Sequence, residues 1–586
     1  MDLLNGADAL WDPRWGDADD NRTSPEGRGW RKLAVSTALD FNYLSASIAF
    51  LSLIIVPALL VGLVAPIIAA YGKHSFGAAT LVTRRPVVAL ASLTLVVALA
   101  FAFGRPLLGK AVDNFWHLHY TLVFPIFVAL REMICAAAET FPNQSMTPEG
   151  LGRLRRFGTI LAAVLLAGGG LLLAASLPFS TDPALLGPRT LQFGRLAAAG
   201  LSNAGVVLGV STALASMYWF WHEITSSHVV LDWKPPPAAI GAAAPALRVA
   251  HLSDLHLVGE PYGYRMECGT AGPQGNDRVR RALLALLAIH KATPLDRILV
   301  TGDITDAGTR AEWVEFVELL RAFPDLRARL LFVPGNHDIN VVDRTNTGRL
   351  DVPWSVGGAL RKLRVLHALD ALQGRCVRVV DHKTGAPGPS LHEYLRSGDR
   401  LMQLRALAER GTWRGRWEMI NVWEQIFPLV ALPPDDSGYG ILLLDSNARR
   451  HFSLTNAIGV VGRSQLRALK AVLHSRPGRA WMVLIHHHIV EYPIRSLGLQ
   501  ERIGVALVNA PDVLKALARS ASPVVVLHGH RHRAWIGRRG DVEVCSAPSV
   551  LFGAKGQDTS SGSFHVYDLA AQDGLRLAAS EHVSIA

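Results

Sequence analysis

Seven side chains of metal-binding type stand at the ends of five short apolar runs. Leu247–Leu252 (LRVAHL) leads into Ser253-Asp254-Leu255-His256, and Arg297–Val300 (RILV) into Thr301-Gly302-Asp303-Ile304-Thr305-Asp306. Leu330–Val333 leads into Pro334-Gly335-Asn336-His337-Asp338 and Trp481–Ile485 into His486-His487-His488. Val524–Leu527 leads into His528-Gly529-His530-Arg531-His532. Imidazoles with carboxylates and an amide oxygen suit a transition metal such as Mn, Fe, Zn or Co. One carboxylate among many imidazoles can bridge two ions, about 3.5–4 Å apart in two-metal hydrolases. Such a pair does hydrolytic chemistry: it lowers the pKa of a bound water toward 7 and neutralises phosphate oxygens that would repel a nucleophile.

These residues must be gathered by strands. In an open α/β sheet ligands bind beyond the carboxyl ends of the strands, so five strand tips can converge on one place. Glycines beside Asp303, Asn336 and His530 permit tight turns and close backbone approach. Neighbouring residues on a strand point oppositely, which leaves His486 and His487 both open as ligands. His251 and His528 sit within or beside the apolar runs and read as core histidines. Cys268 and Cys545 read as packing residues. The four cysteines are scattered with no C-x-x-C pair, which excludes a zinc knuckle and a disulfide framework.

Taken in order, D-x-H, G-D-x-x-D, G-N-H-D, a histidine after a strand, and G-H-x-H resemble the calcineurin-like metallophosphoesterase family from about Leu247 to Ser580. The resemblance implies that Asp254, His256 and His532 hold one metal and that Asp303 bridges to a second. It implies that Asn336, His486 and His530 complete the second site, favouring His486 over His487. His337 is then the residue that protonates or stabilises the leaving oxygen, contributing about 10²–10⁴-fold. Asp306 and Asp338 are expected to fix loops or orient ligating histidines. Gly438-Tyr439-Gly440 through Asp445-Ser446-Asn447, then Gly459, Gly462 and Gln465-Leu466, are similar to the branch holding bacterial cyclic-nucleotide phosphodiesterases. Ser546-Ala547-Pro548-Ser549 is similar to that branch too.

The rest of the chain has a different character. Of 586 residues, 50% are hydrophobic, and the excess lies before residue 230. Mean hydropathy is +0.23. Four stretches run without a charged residue: Phe41–Gly72, Pro86–Gly104, Phe157–Thr181 and Leu196–Trp221. A spanning helix needs about 20 apolar residues, so an all-α membrane bundle of about four helices is expected at 41–223, with spans near 43–71, 86–104, 158–178 and 196–221. Asn114–Leu130, followed at once by Arg131 and Glu132, reads as a helix lying at the interface. The net charge is +11, a balance that basic loops flanking membrane spans or an anionic partner can each give. Arginines and lysines gather before the first span and between the second and third, placing both termini in the cytoplasm. Residues 1–40 are then a cytoplasmic N-terminal segment.

The Pro/Ala-rich stretch within 224–246 reads as a linker. Short β-rich runs alternating with amphipathic helices follow from 247 to 586, as in an α/β sandwich with sheets flanked by helices. Residues 339–436 form an insertion rich in arginine and tryptophan, expected to be a helical cap, either a lid over substrate or headgroups or a solvated addition packed on the core. Leu391–Ala408 carries the helical periodicity.

The expectation is an integral protein of the cytoplasmic membrane with its catalytic domain in the cytoplasm. It would be a two-metal hydrolase of a phosphodiester, in a phosphorylated small molecule or a lipid-linked substrate. A ligand sensor built on the same fold is the alternative from another class, and a domain that had given up catalysis could lose Asp303 or His337, both present here. A nuclease is a further alternative, but no nucleic-acid module accompanies the domain, so nucleic acid is not expected as a partner. No paired ionisable residues mark a transport path in the spans.

Overall fold

The computed structural model describes residues 10, 59–60, 62, 123–139, 148–180, 193–225, 231–232, 234, 247–260, 263–265, 273–340, 356–433, 438–447, 457–492, 507–521, 523–554, 561–570 and 574–585. The chain divides into two compact units, Ala46–His228 and Met1–Ser45 with Val229–Ala586.

In the first unit the described helices are α1 (Phe124–Glu139), α2 (Pro148–Ser176) and α3 (Phe193–Thr225). Within α2 and α3, Arg153–Ser176 and Ala197–Trp221 are long and apolar enough to cross a membrane, matching two of the four expected spans. The expected spans near 43–71 and 86–104 lie almost wholly outside the described residues, as does most of the linker. The two helices meet at glycine: a Cβ on Gly170 would stand 2.5 Å from the Gly209 carbonyl oxygen, and the reverse holds equally. Small residues at such a crossing let two apolar helices approach backbone to backbone. Of the expected interfacial segment Asn114–Leu130, only residues 123–130 are described; there helix α1 runs on through Arg131 and Glu132, whose side chains pair at 2.6 Å.

The second unit holds strands β1 (Leu231–Asp232), β2 (Leu247–Leu252), β3 (Arg297–Val300), β4 (Leu330–Phe332), β5 (Arg378–Val380), β6 (Pro387–Ser390) and β7 (Leu429–Ala431). They are followed by β8 (Tyr439–Leu443), β9 (Ala480–Leu484), β10 (Val524–His528), β11 (Trp535–Arg539), β12 (Val542–Ser546), β13 (Gly562–Ala570) and β14 (Arg576–Ile585). The helices between them are α4 (Asp277–Ala292), α5 (Arg310–Arg321), α6 (Pro324–Arg327), α7 (Asn336–Ile339), α8 (Gly357–Gln373), α9 (Leu391–Arg396), α10 (Arg400–Arg410), α11 (Trp413–Ile426), α12 (Arg463–Ser475) and α13 (Ala510–Leu517).

Two mixed sheets result, with strand orders β14-β13-β2-β3-β4 and β1-β11-β12-β10-β9-β8-β7-β5-β6. Strands β2, β3 and β4 run parallel, as do β8, β9, β10 and β12. Central strands buried on both faces read as continuous apolar runs, which is why Trp481–Leu484 and Val524–Leu527 show no polar alternation and are 0–1% exposed. One core takes residues from both sheets and from α4, α5 and α8. A second lies on the other face of the larger sheet, under α12 and α13.

The insertion departs from a purely helical cap. Its strands β5, β6 and β7 extend the larger sheet beyond β8, while α8 and α11 contribute to the main core. The periodic run Leu391–Ala408 is two helices, broken at Ser397–Asp399, where Gly398 takes φ +61°. That left-handed turn is open to glycine and ends α9 before α10 begins.

Candidate metal centre

All five apolar runs are strands, and their carboxyl ends bring the seven predicted residues together. Parallel pairing of β2 with β3 carries on past the strand ends: Asp254 N–H donates to Gly302 O (3.1 Å) and His256 N–H to Asp303 O (3.0 Å). Parallel β9 and β10 do likewise, Gly529 N–H reaching His486 O at 3.1 Å. The two sheets are tied across the site by His530 N–H to Asp254 Oδ2 (3.1 Å) and by His486 Nδ1 to Thr301 O (2.7 Å).

The backbone is bent hard to do this. Among the described residues, the non-glycine positions with positive φ are Asp254 (55°), His256 (43°), Asp303 (50°), His530 (71°) and His532 (48°). Each such conformation costs about 1–3 kcal/mol and persists only where the surroundings over-determine it. All five belong to the predicted ligand set. The neighbouring glycines are required by the same crowding: Gly302 has φ +94°, and a Cβ there would lie 2.6 Å from His486 Nδ1. A Cβ on Gly335 would collide with Asp303.

Three groups of donor atoms form among the described residues. Asp254, His256 and His532 each offer a ligand atom within 4.8 Å of the others, as do Asp303, His486 and His530, and His256 with Asp306 and His337 makes a third set that shares His256 with the first. In the first group His532 Nε2 lies 3.2 Å from Asp254 Oδ1. In the second, His486 Nε2 lies 3.3 Å from Asp303 Oδ2, 3.0 Å from Asn336 Oδ1 and 3.1 Å from His530 Nδ1. Asp303 Oδ2 is also 3.9 Å from His256 Nε2, so this carboxylate stands between the groups. His487 places its Nδ1 on Ser446 Oγ at 2.8 Å, and its ring lies 4.5 Å from that of His530. The sequence left two histidines open at this tip; the geometry brings His486 to the cluster.

The electrostatics identify what the cluster lacks. A carbonyl only accepts, so the bond to Thr301 makes His486 Nδ1 the donor. Its Nε2 then faces a carboxylate oxygen, an amide oxygen and a second imidazole nitrogen at once. A proton on Nε2 serves one of these; a cation serves them all. Burial alone would lower the His486 imidazole, and the Asp303 carboxylate overrides it, holding it at about 9. Burial would raise Asp303, and His486 and His337 instead hold it well below the usual carboxylate range. Burial, with His487 and His486 nearby, pushes His530 well down, and its Nε2 is buried without a hydrogen-bond partner. Imidazole, carboxylate and amide ligand atoms crowded on one buried point fit divalent transition ions.

His337 lies at the partly exposed edge of this cluster. Its N–H donates to Asp303 Oδ1 (2.8 Å) and its Nδ1 to the Asp306 carbonyl (2.7 Å), so acid–base work falls to Nε2. Its ring stands edge-on to His256 at 4.5 Å between centroids. The Asp306 carboxylate lies 3.4 Å from His256 Nδ1, the partner that orients a ligating histidine. Asp338 fixes the loops: it accepts from Thr305 N (2.8 Å), Thr305 Oγ1 (2.7 Å) and Gly335 N (2.8 Å), joining the tips of β3 and β4.

Several supporting residues were given no role by the sequence. Arg265, 1% exposed, donates from Nε to the His256 carbonyl at 2.8 Å. Ser549 Oγ donates to the Asp254 carbonyl at 2.7 Å across 295 positions of chain. Asn447 Nδ2 donates to the Pro334 carbonyl at 3.1 Å. Phe552 stacks on His532 with centroids 5.5 Å apart. Ser549 and Asn447 fall within the looser motifs; Arg265 and Phe552 stand in none.

Residues 247–534 match the family model of the calcineurin-like phosphoesterases. A protein of Coxiella burnetii described as a "Probable cyclic nucleotide phosphodiesterase" is 31% identical over 99 residues, 17% of this chain and 35% of that protein. The chain thus matches about a third of that relative's length. Among solved structures, a dimetal phosphatase from Danio rerio is 13% identical, with a TM-score of 0.34, over 58% of this chain and 99% of the other. A purple acid phosphatase from yellow lupin seeds is 11% identical, with a TM-score of 0.28, over 58% and 53%.

Proposed function

With a calcineurin-like phosphoesterase domain at residues 247–534 as its premise, we propose that the chain is a membrane-anchored, two-metal-dependent phosphodiesterase. Asp254, His256 and His532 would hold one ion and Asn336, His486 and His530 the other, with the Asp303 carboxylate available to both. Mn, Fe, Zn or Co suits these donors. Two such ions, when bound, supply a nucleophile at neutral pH and neutralise the phosphate oxygens for in-line displacement.

The chain's own residues do the rest. His337 delivers a proton from Nε2 to the leaving oxygen, while the Asp306 carbonyl fixes its ring through Nδ1. Asp338 keeps the tips of β3 and β4 in register, which sets the distance between Asp303 and Asn336. The observation that carries the reading is the set of acceptors around His486 Nε2, with Asp303 between the two donor groups. The helices at Arg153–Ser176 and Ala197–Trp221 support the anchor. The basic flanks support a cytoplasmic catalytic domain. The substrate class is a phosphodiester of a small molecule or of a lipid headgroup.

The test is a substrate panel on the full chain in detergent, stripped with chelator and reloaded with Mn, Fe, Zn or Co in turn. Hydrolysis of bis-(p-nitrophenyl) phosphate that returns with metal is expected, with a cyclic nucleotide and a glycerophosphodiester ranking the natural classes. Folded, metal-loaded protein that cleaves none of them would make the domain a ligand sensor.

A further inference from the structure

Helices α10 and α11 form a hairpin whose outer side does not behave like an ordinary enzyme surface. Five large hydrophobic residues of the second unit stand exposed among the described residues: Tyr264, Leu284, Met402, Trp413 and Trp417. Three of the five fall on this hairpin, Met402 at 63%, Trp413 at 58% and Trp417 at 60% exposure. The helix does not lack an inner face. Met419, Val422, Trp423 and Ile426 of α11 are buried, and Trp423 Nε1 donates to Asp445 Oδ2 at 2.7 Å. Trp413 and Trp417 lie four residues apart and so share one stripe of α11. Gly415 between them sits against Gln403 and Leu407 of α10, which fixes the two helices side by side.

The charge around that stripe is one-sided. From Asp399 to Glu418 the sequence holds Arg400, Arg405, Arg410, Arg414 and Arg416 against Asp399, Glu409 and Glu418, and Glu418 pairs with Arg400 at 3.5 Å, which leaves the arginines in excess. Arg410 and Arg414 are exposed, and the Arg416 guanidinium lies over the Trp413 ring at 5.0 Å. Indoles settle at the headgroup level of a bilayer, and clustered arginines are drawn to anionic headgroups. A lid closing over a polar phosphodiester requires neither.

We propose that the α10–α11 hairpin is a membrane-contact surface, seating Met402, Trp413 and Trp417 at the headgroup boundary of an anionic phospholipid leaflet. The proposal rests on the membrane-anchored reading and extends it: the domain is held to the bilayer by its own surface as well as by its tether. The test places a nitroxide at Met402→Cys, with Cys376→Ser and Cys268→Ser, in the full chain reconstituted into vesicles. A second label at Leu284→Cys on α4 serves as the comparison. With phosphatidylglycerol present, the label at 402 should become severalfold more accessible to oxygen than to a nickel chelate, and the label at 284 should not. Arg410→Gln with Arg414→Gln should abolish the dependence on anionic lipid. A label at 402 that stays water-accessible in anionic vesicles, in protein that resists alkaline extraction, overturns the surface and leaves the anchor standing. Extraction of a chain whose 402 label had been lipid-exposed sinks the anchor and keeps the surface. Dipolar broadening between labels makes the face a contact between copies and overturns the proposal.

Discussion

The strand tips and the insertion both turn polar side chains inward, but with opposite bookkeeping of hydrogen-bond partners. At the tips, His486 Nε2 meets the Asp303 and Asn336 oxygens and the His530 Nδ1 at once, and His530 Nε2 is buried without a hydrogen-bond partner. In the insertion, buried arginines are matched to carbonyls: Arg361 Nε donates to Ile339 O (2.6 Å) and Arg364 to Gly308 O (3.0 Å). Arg396 pairs with Asp370 at 2.9 Å. A matched set holds a fold together; carboxylate, amide and imidazole atoms crowded on one point fit a cation. The same contrast separates the inner arginines of the insertion from Arg410 and Arg414 near Trp413, which are exposed.

Variants can break this division. The largest effect should come at the tips, from His337→Gln, which should lower kcat by about 10²–10⁴-fold with bound metal unchanged. Loss of metal along with activity would instead make His337 a ligand. Glu312 comes next. Burial pushes its carboxyl up to about 7 from 4.5, although Ala307 N and Thr309 N donate to it at 3.1 and 2.9 Å. A raised carboxyl contributes stability that is fully present below pH 4.5 and is lost as pH rises through about 7. Glu312→Gln should therefore flatten the fall in unfolding midpoint of metal-free protein across that window, an effect of up to about 3 kcal/mol. An unchanged pH profile would mean that Glu312 is charged throughout. The smallest effect belongs to the insertion: Arg364→Met should cost about 1–3 kcal/mol of stability and leave metal content intact. Lost metal with an unchanged unfolding midpoint would erase the distinction between the two regions.

What the sequence made legible follows the same line. Each candidate metal ligand stands within a few positions of a strand end, so local order carried the information, and the five strands fall where the apolar runs predict them. Choosing His486 over His487 needed the rotation of that strand end, which only the neighbouring sheet fixes, through Thr301 on one side and Ser446 on the other. Arg265, Ser549 and Asn447 act through backbone carbonyls brought near by the fold, and a carbonyl leaves no mark in a sequence. Strands β5, β6 and β7 have three or four residues each, too short for a period of two to show, so the insertion read as helical throughout. Two of the four expected spans fall on described helices, and the other two lie almost wholly outside the described residues.

The most direct test is metal content measured alongside turnover, on the full chain and on its Asp303→Ala variant, each purified under the same metal supply. The account predicts about two divalent ions per chain with diester hydrolysis, and in the variant loss of hydrolysis together with at least one ion. Wild-type protein that is folded, binds no divalent ion under any supply and still hydrolyses diesters, or a variant that keeps both ions and full turnover, would contradict it.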